Sequence, residues 1–599
     1  MSAFCLLSSP DETHLARRRL LAVILVLGFV FRLHYLPRPG FVQDMLYYRS
    51  CARYLSEHSL TSIYRDADQI EGGVVNYPPV YLFILKMLGR TARLLSPDPF
   101  GTTWFLVLLK SVHVLADLSL AFLLYRIVRD QAGFDAGVVS FGLSWMNPGA
   151  IYLGSFFGQS DAVFTAFLVL SAVWIRSFPF LAGCACGLAL GTKMQALPFL
   201  PLIFLEPLLR RDYRSGLRLL SGAAATLTLL LTPFVLAGQF RKLVDSCFFV
   251  SLGWSSSLSV GAFNLWQLHP DPLTPDKIPW GILFGTDGIL PADSPLRFLT
   301  YHRVGLVLFG ASYLLVIQGW VGHRWREPFG LWWSLAGVAA SFFFLPTRIH
   351  ERYLFPFLAF GIPSSAAGAN PIRRVAFVSL SLCFLLNLLA VCPPDSRPVP
   401  LVDVHSGAGD IVAVVGLLSA LVWILDWRGL LSRRGLAVAA ALVLILGGAF
   451  IHKRTASASL SRYAFESVHD WKAPRRDLSV DGNLLQIGDR LFASGIGTHA
   501  ASRITFQVPK GATWLRAWVG ADAEVLGGLE RTSLVFAVEL DGREVFRSPV
   551  FSARSPAEQI PPVSLRGVRE VVLITEDAGD SNADDHADWC GLYLDSSQE

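Results

Sequence analysis

Arg17-Arg18-Arg19-Leu20-Leu21-Ala22-Val23-Ile24-Leu25-Val26 opens an apolar run that reaches Leu36, broken only near its end by Arg32 and His34. Such a run approaches the roughly 20 residues that a helix needs to cross about 30 Å of hydrocarbon. Small residues do not cluster after Phe31 to mark a cleavage site, so the segment reads as an uncleaved first span with a cytoplasmic N-terminus.

Comparable runs recur to about Ile451 and then stop. With 53% hydrophobic and 16% charged residues and a mean hydropathy of +0.47, the bilayer must be the main solvent of this chain. Residues 457–599 carry 14 Lys and Arg against 21 Asp and Glu; the net +5 of the whole chain therefore comes from the residues before them, which carry +12. Two parts with different solvents follow: a membrane domain over 1–454 and a water-soluble domain over 455–599. Basic clusters at Arg17–Arg19, Arg126/Arg129, Arg176, Arg210–Arg218, Arg324/Arg326, Arg373/Arg374 and Arg428–Arg434 mark cytoplasmic loops, and about thirteen spans fit between them. The loops at 37–103, 158–161, 238–301, 347–352 and 392–409 then lie outside, and an odd number of spans puts the C-terminal domain outside too. Residues 178–209 read either as two short spans or as a re-entrant pair. The eight cysteines sit mostly singly in apolar runs, which suits neither a disulfide framework nor a metal site. In the C-terminal domain, alternating stretches at 502–508, 534–540 and 570–575, with turns at Asp481-Gly482, Lys510-Gly511 and Asp541-Gly542, predict an all-β sandwich.

Several residues stand where chemistry can happen. Asp44 follows the first span, at the depth of a lipid headgroup, where a carboxylate can take a proton from an acceptor hydroxyl; it can equally cap the next helix. Asn76-Tyr77-Pro78-Pro79 is a rigid helix entry. Lys110, His113 and Asp117 share one helical face, with a buried Lys110–Asp117 pair as the structural reading. In the turn Phe157-Gly158-Gln159-Ser160-Asp161, Gln159 and Asp161 can bind hydroxyls, or Ser160 or Asp161 caps the next helix. Lys193 interrupts an apolar stretch and needs an anion, either a phosphate or a protein carboxylate. The sharpest constellation is Thr347-Arg348-Ile349-His350-Glu351-Arg352-Tyr353. Its arginine forks and histidine suit a phosphate diester, while Glu351 pairing with Arg348 or Arg352 is the structural alternative.

Asp44 with Tyr47/Tyr48, Asn76-Tyr77-Pro78-Pro79, Lys110 to Asp117, Gly158 to Asp161 and His350 to Pro356 resemble, in that order, the GT-C superfamily of polytopic glycosyltransferases, especially the lipid-linked-oligosaccharide glucosyltransferases and their bacterial relatives. Ala262-Phe263-Asn264-Leu265-Trp266 resembles a further segment of such enzymes. An acidic residue often precedes Tyr-Pro-Pro in the eukaryotic enzymes, and Asn76 stands there instead. The resemblance implies inverting transfer of a hexose from a polyprenyl-phosphate donor to a glycan or lipid-linked acceptor, outside a bacterial inner membrane. Asp44 would be the base; Arg348, His350, Glu351 and Arg352, with Lys193, would surround the donor phosphate; Tyr47, Tyr77, Gln159 and Asp161 would line the substrate cavity. No ligand spacing argues for a metal, although Asp44 and Asp161 could share a divalent cation. Membrane lipids are expected partners and nucleic acid is not. Ser494 to Ala500, Val519 to Asp522, Val535 to Gly542 and Asp584 to Trp589 make the C-terminal domain similar to the NPCBM module, a carbohydrate-binding sandwich of galactose-binding-like shape. There Asp588 beside Trp589 offers a polar acceptor next to a ring face, or the same run locks the end of the sandwich. The rival reading of the whole chain is a transporter or flippase of lipid-linked sugars, whose charges line a path. A receptor-like anchor needs far fewer spans.

Overall fold

Helices that are apolar on every face must be solvated by lipid or by one another. A computed structural model of the chain describes residues 10–250, 258–268, 289–291, 299–367, 370–394, 407–430, 463–492, 494–509, 511–527, 532–579, 582 and 584–595. Among these, Thr103–Ala132, Tyr213–Leu236, Tyr301–Gly322, Pro371–Val391 and Ala408–Leu425 are long and apolar enough to cross a membrane. Shorter apolar helices accompany them, of which Gly330–Phe344 and Phe355–Ala366 are almost wholly buried. By contrast Tyr213–Leu236 leaves Leu217, Leu220, Leu229 and Leu236 exposed, a surface for acyl chains. The expected first span is the helix Pro10–Tyr35. Residues 178–209 form the helices Pro179–Thr192 and Leu200–Leu209, joined by the turn Met194–Phe199, and the break falls at Lys193. The last apolar run, 431–451, and the junction near 455 lie outside the described residues.

The chain divides into two compact units, residues 1–267 with 306–443 and residues 268–305 with 444–599. The second is a β-sandwich. One sheet runs Glu558–Gln559, Trp514–Ala521, His586–Asp595, Gly495–His499, Arg475–Arg476; the other runs Arg543–Arg547, Ser533–Leu540, Glu570–Asp577, Ser502–Gln507, Phe465–His469. Asp541 and Gly542 both take positive φ (44° and 81°), as a two-residue hairpin turn requires. Ile496, Leu515, Phe536, Leu573 and Trp589 fill the space between the sheets. A small three-stranded sheet, Ile289–Pro291, Arg490–Phe492 and Gln486–Ile487, completes the unit. Its buried Ile487 and Phe492 cluster with Leu485 and Cys590.

Neither Asp588 nor Trp589 is open to a sugar. Both are fully buried, and the indole Nε1 donates to Thr575 Oγ1 at 3.0 Å while its ring meets Phe536 edge-on. The alternative holds: this run locks the sandwich. The Asp588 carboxyl faces that of Asp522. Burial first, then the charge of Asp522, pushes the Asp588 carboxyl well above the usual range. The folded chain thus keeps a proton that the unfolded chain releases above about pH 4, so stability is lost as pH rises from there toward the raised folded value. Asp588→Asn, which cannot ionise, is expected to raise the unfolding midpoint of the sandwich at pH 7.5. The gain should vanish near pH ~4, where the unfolded carboxyl is protonated as well. Calorimetry of wild type and variant across pH checks this, and an Asn variant less stable at pH 7.5 contradicts it.

Candidate active site

The loop after the first helix is pinned at its start. Arg32 is fully buried: its guanidinium lies 3.6 Å from the Trp145 ring centroid, donates to the Trp145 carbonyl at 2.7 Å and pairs with Asp117 at 3.3 Å. Asp117 therefore belongs to Arg32 and not to Lys110, although the helical spacing aligned the latter two. Lys110 instead donates from Nζ to the carbonyls of Arg38 (2.7 Å) and Phe156 (2.6 Å), tying the loop to the π-turn Tyr152–Phe157. Gly40 has φ 69°, and a Cβ there would collide with the Phe156 carbonyl. Phe41 then stacks on Phe157 and occupies the N-cap position of the helix Val42–Glu57 without a side-chain cap bond, so Asp44 is not its cap but stands in its first turn, where the helix dipole favours a carboxylate.

The π-turn closes at Gly158 (φ 87°), where a Cβ would stand 2.6 Å from Met45 Cε. The next residue, Gln159, donates from Nε2 to Asp44 Oδ2 and accepts from the Tyr48 hydroxyl at 3.3 Å. Ser160 occupies the cap position of the helix Asp161–Trp174, yet its hydroxyl makes no cap bond. The Asp161 carboxylate meets Lys193 Nζ at 2.9 Å, so the anion that Lys193 needs is a protein carboxylate.

The basic segment is held by backbone pairing. Ile349–His350 forms a parallel pair with Ser259–Val260. Asn387 Nδ2 donates to the Gly261 carbonyl (2.6 Å) and its Oδ1 accepts from Phe263 N (3.0 Å); Asn264 Nδ2 donates to the Phe343 carbonyl, and Trp266 Nε1 to that of Leu345. The Ala262–Trp266 segment thus serves as a brace. Arg352 Nη1 donates to Glu351 Oε1 at 2.8 Å, which is the structural pairing foreseen, while its Nη2 lies 3.9 Å from Asp44 Oδ2. His350 Nδ1 lies 3.3 Å from Arg352 Nη1 and 3.7 Å from Glu351 Oε2.

Asp44 and Arg352, 308 positions apart, thus face one cavity of about 580 Å³. Tyr47, Tyr77, Lys193, His350 and Glu351 also line it. Gln159 and Asp161 are fully buried behind its wall, and Arg348, in a left-handed turn (φ 63°), is absent from its lining. Glu71, Gln195 and Tyr353 were not singled out as site residues, yet they line the cavity, with Gln195 Nε2 donating to the Tyr353 hydroxyl at 2.7 Å. For Glu71, a polar loop residue among others, the sequence carried no signal.

The C-terminal unit presents an aromatic patch of its own. Trp471 is 54% exposed, and its ring lies 4.8 Å from that of His499 and 5.8 Å from that of His586. The two imidazoles share a register position on paired strands. His586 Nδ1 meets Glu524 Oε1 at 2.6 Å; burial opposes its protonation, but the Glu524 hydrogen bond and charge hold its pKa above the ordinary value. Asp481, Glu524 and His586 bring ligand atoms within 4.8 Å of one another. Both carboxylates have donors, Asp481 from Lys472 and Glu524 from Ser479 and Asn483, so the group is complete as a hydrogen-bonded cluster.

Residues 76–269 match the model of glycosyltransferase family 87, and residues 456–595 match that of the NPCBM/NEW2 domain. Among curated proteins, the chain is 35% identical over 119 residues to alpha-1,3-galactosidase B of Akkermansia muciniphila, a stretch that covers 20% of this chain and 15% of that relative. Among solved structures, it is similar to the CBM51 of Clostridium perfringens GH95 in complex with methyl-galactose (26% identity, 23% of this chain and 98% of that one, TM-score 0.22). It is also similar to ArnT of Cupriavidus metallidurans bound to undecaprenyl phosphate (14% identity, 75% of each chain, TM-score 0.38). The N-terminal part of this multi-pass membrane protein thus carries a domain of glycosyltransferase family 87, and its C-terminal end carries an NPCBM domain.

Proposed function

We propose that this membrane glycosyltransferase moves a hexose from a polyprenyl-phosphate donor to an acceptor hydroxyl on the extracytoplasmic side of the inner membrane, with inversion. The observation that carries the reading is the approach of the Asp44 carboxylate to the Arg352 guanidinium across one cavity, 3.9 Å apart. In the reaction, the acceptor oxygen bonds to the anomeric carbon as the bond from that carbon to the phosphate oxygen breaks. The acceptor proton passes to Asp44, and the electron pair leaves with the lipid phosphate. Arg352 and His350 stabilise the charge that grows on that phosphate, with Lys193 at the cavity wall in support. Glu351 holds the Arg352 fork. Arg348 serves the phosphate only if its turn rearranges when the donor binds.

Asp44→Asn is expected to cut kcat by about 10²- to 10⁴-fold with donor binding kept, because the amide takes no proton. Arg352→Gln should lower both donor affinity and kcat. Both are read as transfer from a panel of polyprenyl-phosphate sugars in proteoliposomes, with release of free lipid phosphate identifying the reaction. An Asp44→Asn enzyme that turns over like wild type overturns the reading.

For the C-terminal domain, the exposed Trp471 face, backed by the buried His499 and His586, is the surface that suits a glycan. Trp471→Ala should abolish glycan-array binding by the full chain in detergent while transfer to a short soluble acceptor continues. Unchanged glycan binding would remove the patch from consideration.

A further inference from the structure

Asp44 uses its two oxygens unequally. Oδ2 receives Gln159 Nε2 and lies nearest Arg352, whereas Oδ1 has no hydrogen-bond partner among the described residues. One oxygen is anchored and the other is free. The anchor comes from outside the cavity, since Gln159 is fully buried and absent from the lining.

Its orientation is fixed by chemistry. An ionised carboxylate only accepts hydrogen bonds, so the amide must turn its NH₂ toward Asp44 and its oxygen the other way. That oxygen accepts from the Tyr48 hydroxyl at 3.3 Å, and the same hydroxyl bonds the Tyr77 hydroxyl at 2.5 Å. Tyr48 is 1% exposed and Gln159 fully buried, so the bond between them is out of water, where a misdirected dipole is costly. The backbone behind it is equally determined, because Gln159 N donates to the Leu153 carbonyl at 3.1 Å and Gly158 holds the turn.

We propose that Gln159 is a positioning residue: its amide, oriented by Tyr48, holds Asp44 Oδ2 so that Oδ1 projects toward the acceptor hydroxyl. The proposal rests on the reading of Asp44 as the base. Gln159 touches no substrate; it narrows the rotamers of a side chain that, among the described residues, otherwise has only an arginine 3.9 Å away to orient it. Removing such a constraint affects the rate of the bound complex and leaves substrate binding alone.

Three variants test this in proteoliposomes. Gln159→Met keeps the volume and removes both hydrogen bonds; kcat should fall about 10- to 100-fold, the size expected of a hydrogen bond to a charged group, with KM for donor and acceptor unchanged. Tyr48→Phe, which removes one oxygen and leaves the packing, should give a smaller loss of the same kind. The double variant should be no slower than Gln159→Met alone, because Tyr48 acts through the amide. In an Asp44→Asn background, Gln159→Met should change nothing further. Wild-type kcat in Gln159→Met, a loss that appears in KM, or losses that multiply in the double variant each overturns the proposal. If Gln159→Met does not fold, Tyr48→Phe decides by the same split between kcat and KM. An inactive Asp44→Asn enzyme beside a fully active Gln159→Met enzyme sinks the positioning role alone, whereas an active Asp44→Asn enzyme sinks the base and this proposal with it.

Discussion

A buried ammonium bonded to two backbone carbonyls holds the site together. Lys110 lies in the interior of the helix Thr103–Ala132 with no carboxylate bound to it among the described residues, and it donates to the carbonyls of Arg38 and Phe156. These belong to the loop after the first helix and to the π-turn before Gly158, segments more than a hundred residues apart. Hydrogen bonds from a charged donor contribute about 1.5–3 kcal/mol each, much of which offsets the desolvation of the ammonium. What remains is geometric. With both carbonyls fixed to one nitrogen, the first turn of Val42–Glu57 and the Gly158–Asp161 turn have a single relative placement, and Asp44 meets Gln159.

The other wall follows the same logic with different groups. Asparagine amides, not cations, bind the main chain beneath His350-Glu351-Arg352: Asn387 takes both a donor and an acceptor from the 261–263 backbone, and Asn264 reaches the helix Gly330–Phe344. A two-residue parallel strand is too short to hold itself, and these amides supply what the ladder lacks. Both walls therefore rest on side chains that satisfy backbone from distant segments, as a water-poor interior demands.

The sequence made Asp44 and His350-Glu351-Arg352 legible because ionisable residues at the end of an apolar run are few and conspicuous. It misdirected where partner choice is tertiary. Lys110 and Asp117 share a helical face, but Arg32, arriving from the first helix, takes the carboxylate. Helical spacing says which face a residue occupies, not what lies opposite. Arg348 sits beside His350 in sequence, yet its left-handed backbone lies outside the cavity lining. In the sandwich, the sequence left Asp588 and Trp589 open to two readings, a sugar face or a lock on the end of the fold. The strand His586–Asp595 is central, however, with Trp589 turned to the core between the sheets and Cys590 clustered with residues of the small third sheet and its approach. Alternation marks a solvent face only where one face is left bare. The exposed ring, Trp471, stands alone in a loop, where no periodicity points to it.

Carboxylates outnumber cations around the cavity before any substrate arrives, since Glu71 also lines it. Asp44, Glu351 and Asp161 face Arg352 and Lys193, each cation already matched to a carboxylate. A site built for tight resting binding of an anion would leave its cations bare. Catalysis makes a different demand, because only interactions that strengthen as the reaction proceeds lower the barrier. On the proposed reaction, the donor enters as a phosphate diester with one negative charge and departs as a monoester that carries a second. Carboxylates that temper Arg352 and Lys193 weaken the hold on the first charge while leaving those cations where the second develops.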